Sequence, residues 1–371
     1  FGFALERLVA VLVIACPHAL GLAVPLVASI STTMAAKNGF LIKKRIALES
    51  ARKVDVVVFD KTGTLTKGEY GVTNIWNLTV TDEKEVLQLA ASVDSHSEHP
   101  ISHALTQKAE QDNVSLLEVK DFSRIPGKGV KGFVNGKEVI VGGSFLLKES
   151  NNDLTRDIVK EIEKEEKKGK TIIYIASEKQ VLGALALADL IREESRDAIK
   201  GLQEMGIYTS MITGDSKEVA SFIARELGID EYYARVFPKD KAEKIKLLQS
   251  KGYCVAMVGD GINDAPALTQ ADLGIAIGAG TNVAIESAGI ILVRDDPRDI
   301  VRIIKLSKLT YRKMIQNLCW AAGYNVIAIP LAAGALAFAG IFLQPAVAAL
   351  FMSLSTVIVA VNAMLLRRQG L

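Results

Sequence analysis

Cysteine is scarce in this sequence, and charge is missing from long parts of it. The three cysteines, Cys16, Cys254 and Cys319, lie far apart in 371 residues, which excludes a dense disulfide framework and indicates a reduced compartment for the polar region. No charged residue occurs between Leu318 and Leu366. A net charge of +2 gives no reason to expect nucleic acid as a partner, whereas 49% hydrophobic residues indicates that part of the chain lies in lipid.

Three apolar stretches, residues 8–36, 318–343 and 346–366, are long enough to cross a bilayer, which takes a helix of about 20 residues. Basic residues follow the first stretch, precede the second and close the third: Lys37, Lys43, Lys44, Arg45, Arg52, Lys53, Arg302, Lys305, Lys308, Arg312, Lys313, Arg367 and Arg368. By the positive-inside rule these ends face the cytoplasm. We therefore predict an integral protein of the cell membrane, in contact with lipid, whose middle region is cytoplasmic.

The middle region alternates between two kinds of segment. Runs such as residues 54–59, 208–213, 253–258, 273–277 and 290–293 are apolar enough for strands buried on both faces of a parallel sheet, and amphipathic helical stretches separate the later runs. This alternation predicts an α/β fold with a doubly wound sheet. Residues 73–187 interrupt it with short strands and charged helices, which predicts an inserted α+β domain.

The predicted domains follow from these boundaries: a transmembrane helix at 1–36, a cytosolic stalk at 37–53, a sheet domain at 54–72 and 188–297, the inserted domain at 73–187, a second stalk at 298–317, and two transmembrane helices with a short cytosolic tail at 318–371. The chain begins within apolar sequence, so we interpret it as a fragment of a longer protein.

Reactive groups gather at the carboxyl edge of an open parallel sheet. Three acidic motifs end predicted strands there: DKTGTLT from Asp60, TGD at 213–215 and GDGIND at 259–264. Carboxylates on adjacent strand ends would repel one another without a cation, and Mg²⁺ with phosphate resolves that repulsion because Mg²⁺ prefers oxygen ligands. Asp60 is the predicted nucleophile, and we assign Mg²⁺ to Asp60, Thr62, Asp260 and Asp264.

Three further residues complete the predicted catalytic set. Lys241 supplies a positive charge for a transferring phosphoryl group, and Thr213 can donate a hydrogen bond to its oxygens. Asp215, in the same TGD motif, is included with them.

These motifs, in this order, resemble the haloacid-dehalogenase-like phosphotransfer fold and, within it, the P-type ATPases, whose signatures include DKTGT, TGD and GDGxND. The position two residues after the nucleophile usually holds a second aspartate in phosphatases of the fold, where it acts as general acid and base. Here it is Thr62. An aspartyl-phosphate on Asp60 is therefore expected to persist, as in a pump that changes shape before hydrolysis.

The inserted domain carries a second set of candidates. Glycines in GKG, residues 127–129, allow close approach of the backbone to a planar base or a phosphate, while Glu98 and His99 offer hydrogen bonding and stacking. The SEHP and GxG patterns resemble the nucleotide-binding domain of heavy-metal P-type ATPases. This resemblance implies that Glu98, His99, Gly127 and Gly129 hold the adenosine part of ATP. Many relatives have Gly-Asn where this chain has residues 142–143, Gly-Gly.

The first apolar stretch contains Cys16-Pro17-His18. Proline removes a helix hydrogen bond, so we expect the helix to break here, to free the carbonyl of Val13, and to let Cys16 and His18 face one ion. Thiolate and imidazole suit soft or borderline metals, and polar residues of the other stretches extend the predicted ion site: Tyr324, Asn325, Met352 and Ser355.

The absence of acidic residues from the spans favours a monovalent soft ion, Cu⁺ or Ag⁺. The CPH pattern resembles the copper subgroup of heavy-metal pumps that carries CPH in place of CPC, for which Cu²⁺ stays an alternative. The resemblance implies an ATP-driven exporter with ATP and Mg²⁺ as cofactors and a soluble metal donor as a partner. Two alternatives are a membrane-tethered phosphatase of the same fold and a non-catalytic metal-sensing membrane protein that binds nucleotide.

Overall fold

The structure, a computed structural model, describes residues 2–16, 18–79, 82–97, 99–126, 128–150, 155–260, 262–278 and 282–369. The chain divides into two compact units, Phe1–Val57 with Ala242–Leu371, and Val58–Lys241. Strand β2 (Val56–Asp60) and helix α10 (Pro238–Ser250) cross the boundary between these sequence ranges.

The first unit contains strands and short helices of an α/β domain. Its strands are β1 (Phe40–Ile42), β11 (Val255–Gly259), β12 (Leu273–Ile277) and β13 (Ile290–Leu292), and its short helices are α3 (Arg45–Ala51), α11 (Ala265–Gln270) and α12 (Asn282–Ser287). Strand β12 pairs in parallel with both β11 and β13, and β1 pairs antiparallel with β13. Strands β11 and β12 are buried along their whole length, as expected for a parallel sheet covered on both faces.

Four helices of the first unit carry the apolar sequence: α1 (Gly2–Ala15), α2 (His18–Lys37), α13 (Arg298–Ala333) and α14 (Pro345–Met364). Small residues pack between them, in one cluster with Ala10, Ala328 and Ala348 and another with Ala23 and Ala321. Small side chains let helix backbones approach closely, as is common between helices in membranes. Among the described residues, Gly2–Lys37 and Pro345–Arg368 are long and apolar enough to span a membrane.

The predicted span at 318–343 is wrong in its extent. Helix α13 joins the predicted stalk and the apolar stretch into one helix, which ends at Ala333. Gly334 terminates it with a φ of +100°, a left-handed conformation that glycine adopts without steric cost, and a short 3₁₀ turn, Ala337–Ala339, follows. Apolar composition alone did not reveal this stop.

The second unit contains a six-stranded antiparallel sheet. Its strands are β3 (Thr66–Asn77), β4 (Val119–Ile125), β5 (Gly129–Val134), β6 (Lys137–Gly142), β7 (Thr171–Ser177) and β8 (Gln180–Ile191), in the order β3-β8-β7-β6-β5-β4. Helices α4 (Glu83–Asp94) and α5 (Pro100–Gln111) cover one face, and α6 (Phe145–Glu149) and α7 (Arg156–Lys167) cover the other. Alternation along β7 sends Ile173 and Ile175 to the first face and Tyr174 to the second.

The second unit also contains the parallel pair β9 (Tyr208–Ile212) and β10 (Glu231–Tyr233), with helices α8 (Glu193–Glu204) and α9 (Lys217–Leu227). Ser216 caps α9 by accepting a hydrogen bond from the amide of Val219, and Gly228 ends it in a left-handed conformation. The amphipathic helices predicted between the later strands are thus present.

Candidate functional site

Asp60 is the last residue of β2, and all five residues of that strand are buried. The chain then turns through Lys61–Leu65, where Gly63 has a φ of +74°. One Asp60 oxygen, Oδ1, accepts a hydrogen bond from Nζ of Lys241 at 2.5 Å, and the two residues are 7% and 6% exposed. Lys241 lies in the first turn of α10. Two residues that the sequence placed in one catalytic set therefore meet in a buried ion pair.

Thr213 and Asp215 form a tight loop after β9. The amide of Thr213 donates to the carbonyl of Tyr233, and the amide of Asp215 donates to Oγ1 of Thr213 at 3.1 Å. The side chain of Asp215 contacts Nζ of Lys61 at 2.8 Å. This contact indicates that Asp215 positions Lys61, a residue that follows the nucleophile directly.

Lys61 also contacts Asp189, a residue that the sequence reasoning missed. Its Nζ lies 3.3 Å from Oδ2 of Asp189, which in turn accepts a hydrogen bond from Oγ1 of Thr66 at 2.6 Å. Burial by itself would lower the pKa of Lys61, but Asp215 and Asp189 outweigh burial and raise this pKa above its ordinary value of 10.5. The Lys61 side chain is therefore charged, and its ion pairs connect the turn after Asp60 to the segments that contain Asp215 and Asp189.

Asp260 and Asp264 belong to the first unit, where Asp260 directly follows β11. Asp264 ends a 3₁₀ turn, Ile262–Asp264, and is 2% exposed. A Cβ at Gly259 would lie 2.6 Å from Oδ2 of Asp264. The glycine therefore leaves the space into which the Asp264 carboxylate folds back against the end of the strand.

The six-stranded sheet of the second unit borders a cavity of about 750 Å³. Its lining includes two predicted nucleotide ligands, His99 and Gly129, together with Asp94, Arg124 and Lys128. His99 is exposed and caps α5 by accepting a hydrogen bond from the amide of Ile101. The predicted ligands Glu98 and Gly127 lie outside the described residues. The volume of the cavity fits a ligand the size of a nucleoside, since small-molecule sites typically measure about 300–1,000 Å³.

Two glycines of this cavity differ in the room around them. A Cβ at Gly129 would lie 2.1 Å from the carbonyl oxygen of Val141, on the paired strand β6. A Cβ at Gly143 would meet nothing within 4 Å. Strand packing therefore requires glycine at position 129, whereas position 143 has space for a side chain.

Asp94 lies at the edge of the same cavity and is 5% exposed. Burial raises the pKa of Asp94 above its ordinary value of 3.8, although a hydrogen bond from Oγ of Ser102 at 2.8 Å and the nearby His99 act to lower it. The cavity thus contains a buried carboxyl group whose ionised form depends on Ser102.

The first apolar stretch is interrupted at the CPH motif, as predicted: α1 ends at Ala15 and α2 begins at His18. Pro17 lies outside the described residues. Sγ of Cys16 and Nδ1 of His18 lie 2.7 Å apart, so the break brings the two side chains together. The expectation that the carbonyl of Val13 is free was wrong, because this carbonyl accepts a hydrogen bond from the amide of Cys16 at 3.4 Å.

The other predicted ion ligands lie on α13 and α14. The hydroxyl of Tyr324 donates to the carbonyl of Ile14 at 3.4 Å, one turn from the CPH break. Oδ1 of Asn325 and Oγ of Ser355 are buried with no hydrogen-bond partner among the described residues, and Met352 is partly buried. Buried polar atoms without partners are costly, which makes these two atoms candidates for contact with a ligand.

The chain is similar to known proteins in sequence and in fold. The haloacid dehalogenase-like hydrolase family matches residues 54–272. The chain is 55% identical over 367 residues to the copper-exporting P-type ATPase B of Archaeoglobus fulgidus, and 47% identical over 366 residues to a probable copper-transporting P-type ATPase B of Staphylococcus aureus. These alignments cover 99% and 98% of this chain but 52% and 54% of the relatives. The chain thus spans about half the length of the curated relatives it matches.

Two solved structures are also similar. A zinc-transporting PIB-type ATPase in the E2.Pi state has a TM-score of 0.84 at 34% identity, and the match covers 95% of this chain and 56% of that one. The catalytic domain of the CPx-ATPase CopB-B has a TM-score of 0.55 at 32% identity, and the match covers 74% of this chain and 98% of that one. These findings confirm the predicted fold class. The chain therefore belongs to the haloacid dehalogenase-like hydrolases and, within them, to the heavy-metal-transporting P-type ATPases.

Proposed function

We propose that this chain is the catalytic and ion-binding part of a membrane pump that uses ATP to export copper or silver ions. The name of the relative from Archaeoglobus fulgidus, a copper-exporting P-type ATPase, supports the cargo and the direction. The observation that carries the proposal is the buried pair of Asp60 and Lys241 at the end of β2.

In the proposed reaction, a carboxylate oxygen of Asp60 attacks the γ-phosphorus of ATP. An O–P bond forms on Asp60, the bond between the γ-phosphorus and the bridging oxygen breaks, and ADP leaves with that oxygen. Lys241 offsets the negative charge that gathers around the transferred group, and Thr213 donates a hydrogen bond to it. Lys61, held by Asp215 and Asp189, keeps the turn after the nucleophile in place.

The residues fit Mg²⁺ in their chemistry, because Asp60, Thr62, Asp260 and Asp264 offer the oxygen donors that this ion prefers. Bound Mg²⁺ would reduce the negative charge of the phosphoryl oxygens.

Hydrolysis of the phosphorylated Asp60 requires a water activated by a base. Thr62 cannot serve as that base, because its hydroxyl does not accept a proton at neutral pH. We therefore propose that the phosphorylated form is long-lived until another part of the pump supplies the base.

The cavity beside the six-stranded sheet is the proposed site for the adenosine part of ATP, with His99 at its rim and Gly129 in its wall. Cys16 and His18 are the proposed core of the ion site, assisted by Tyr324, Asn325, Met352 and Ser355. The thiolate favours Cu⁺ or Ag⁺, whose single charge it neutralises; the imidazole leaves Cu²⁺ as the second candidate. Membrane lipid and a soluble metal donor are the proposed partners.

The test uses the full-length protein with radiolabelled ATP and a panel of Cu⁺, Ag⁺, Cu²⁺ and Zn²⁺. We expect an acid-stable, hydroxylamine-sensitive phosphoprotein that turns over faster with Cu⁺ or Ag⁺ and is absent in Asp60→Asn. Stimulation by Zn²⁺ alone would overturn the cargo assignment. Rapid hydrolysis of simple phosphate esters without a stable phosphoprotein would instead identify a phosphatase, and metal resistance that survives Asp60→Asn would identify a non-catalytic sensor.

A further inference from the structure

A second cavity, of about 220 Å³, lies in the first unit where α2, α3 and α13 meet. Its lining contains no residue of the CPH motif. Its polar lining includes two arginines, Arg45 and Arg52, and the hydroxyl residues Ser31, Ser307 and Thr310. Cavities of this composition suit an anion better than a cation.

Two hydrogen-bond donors of this cavity are buried without a partner among the described residues. They are Oγ1 of Thr310, a residue that is 4% exposed, and Nε of Arg52. The hydroxyls of Ser31 and Ser307, in contrast, donate to the carbonyls of Ala28 and Leu48. Buried donors normally have an acceptor, so the unpaired two indicate that a ligand with acceptor oxygens completes the site.

The charges of the lining favour a monoanion. Arg52 stacks its guanidinium group 3.5 Å from the centre of the Tyr311 ring, which fixes the orientation of its planar donors. Arg45 is 3.7 Å from Glu49, the acidic residue of the lining, so Arg45 and Glu49 offset each other. Arg52 then leaves one net positive charge for a ligand.

The location of the cavity gives the source of the anion. The cavity lies beside residues 24–32 of α2, whose end at Lys37 faces the cytoplasm by the positive-inside rule, and Val24, Ala28 and Met314 supply an apolar wall beside the polar groups. A ligand with a phosphate head and a hydrocarbon tail matches both walls. Basic pockets between transmembrane helices on the cytoplasmic side are places where anionic lipid head groups bind.

We propose that this cavity binds the phosphate of an anionic phospholipid from the cytoplasmic leaflet. Thr310 and Arg52 donate to the phosphate oxygens, and the apolar wall contacts the start of the acyl chains. The bound lipid joins α2 and α13 to α3, the short helix that precedes the strand ending at Asp60. The lipid thereby stabilises the junction between the membrane helices and the sheet.

The experiment measures lipid binding to the full-length protein by native mass spectrometry and by thermal unfolding in nanodiscs of phosphatidylcholine, with or without phosphatidylglycerol. We expect phosphatidylglycerol to bind more tightly than phosphatidylcholine and to raise the unfolding temperature. Thr310→Val, which keeps the shape and charge of the cavity, is expected to weaken phosphatidylglycerol binding about tenfold, since it removes a hydrogen bond to a charged group. Thr310→Ser is expected to restore it.

Arg312→Gln is the matched charge control, because Arg312 lies on α13 next to Tyr311 but does not line the cavity. General attraction to an anionic surface would weaken binding in Arg312→Gln as much as in Arg52→Gln. Either that equality or unchanged binding in Thr310→Val would overturn the proposal. Displacement of the lipid by inorganic phosphate would also overturn it, because the site would then be one for free anions.

Discussion

Replacing Gly129 with alanine tests the proposed ATP site at the point where its wall has the least room. The added Cβ would lie 2.1 Å from the carbonyl oxygen of Val141 and 2.8 Å from Cα of Gly142. Ordinary contacts of a Cβ begin near 3.4 Å. Both neighbours are backbone atoms of β6, the strand paired with β5, so no side chain can move aside. The two strands must instead separate by about 1 Å at the wall of the cavity.

The expected free-energy cost of Gly129→Ala follows from that separation of the strands. Forcing extra carbon into packed structure typically costs about 1–3 kcal/mol, and every 1.4 kcal/mol changes an equilibrium constant tenfold. If the strain is relieved by displacing the cavity wall, ATP binding should weaken by about 10- to 100-fold. Unfolding of the antiparallel sheet should also occur at a lower temperature.

Gly143→Ala is the matched control, because position 143 lines the same cavity and an added Cβ there meets nothing within 4 Å. Isothermal titration of Mg-free ATP onto the full-length variants gives the affinity without turnover. We expect Gly143→Ala to bind like the unmodified protein and Gly129→Ala to bind weakly. Equal affinities in all three proteins would refute the assignment of this cavity to the nucleotide.

Three further predictions concern the remaining sites. Lys241→Met should slow formation of the phosphoprotein on Asp60 by about 10²- to 10³-fold, because it removes a preorganised charge, and a rapid-quench rate equal to that of the unmodified protein would contradict this role. Ser102→Ala should raise the pKa of Asp94 further, because the hydrogen bond from Ser102 favours the ionised carboxylate. The folded state of the variant then binds a proton more strongly than the unfolded state does. Its free energy of unfolding should therefore fall by about 1–3 kcal/mol at neutral pH and by less near pH 4, as measured by thermal unfolding. Cys16→Ser should abolish stimulation of ATP hydrolysis by Cu⁺ while ATP affinity stays unchanged; full stimulation in the variant would exclude Cys16 from the ion site.

The sequence predicted the fold class from local signals, and it assigned Asp60 and Lys241 to one catalytic set from the chemistry of their motifs. A valine-rich buried run that stops at an aspartate marks the end of a parallel strand, and Lys241 begins an amphipathic helix after a proline. The CPH break was predictable for the same reason, since a proline within a helix removes a backbone hydrogen bond and clashes with the preceding turn.

Contacts between distant residues were not predictable in this way. Asp189 lies more than 100 residues after Lys61, and it reaches that lysine because β8 pairs with β3, with Asp189 opposite Tyr70. The end of α13 at Ala333 was missed because glycine in an apolar run can also continue a membrane helix. Only the backbone geometry distinguishes a left-handed stop at Gly334.

Helix α13 has a mechanical consequence for the molecule. Its 36 residues rise about 54 Å, and the part from Arg298, just after β13, to Ala321, which packs against α2, accounts for about 36 Å of that rise. A continuous helix of this length is stiff, so we expect a displacement of its first turn to be transmitted to Ala321. We therefore expect movement at the edge of the sheet to be coupled to movement beside the CPH break.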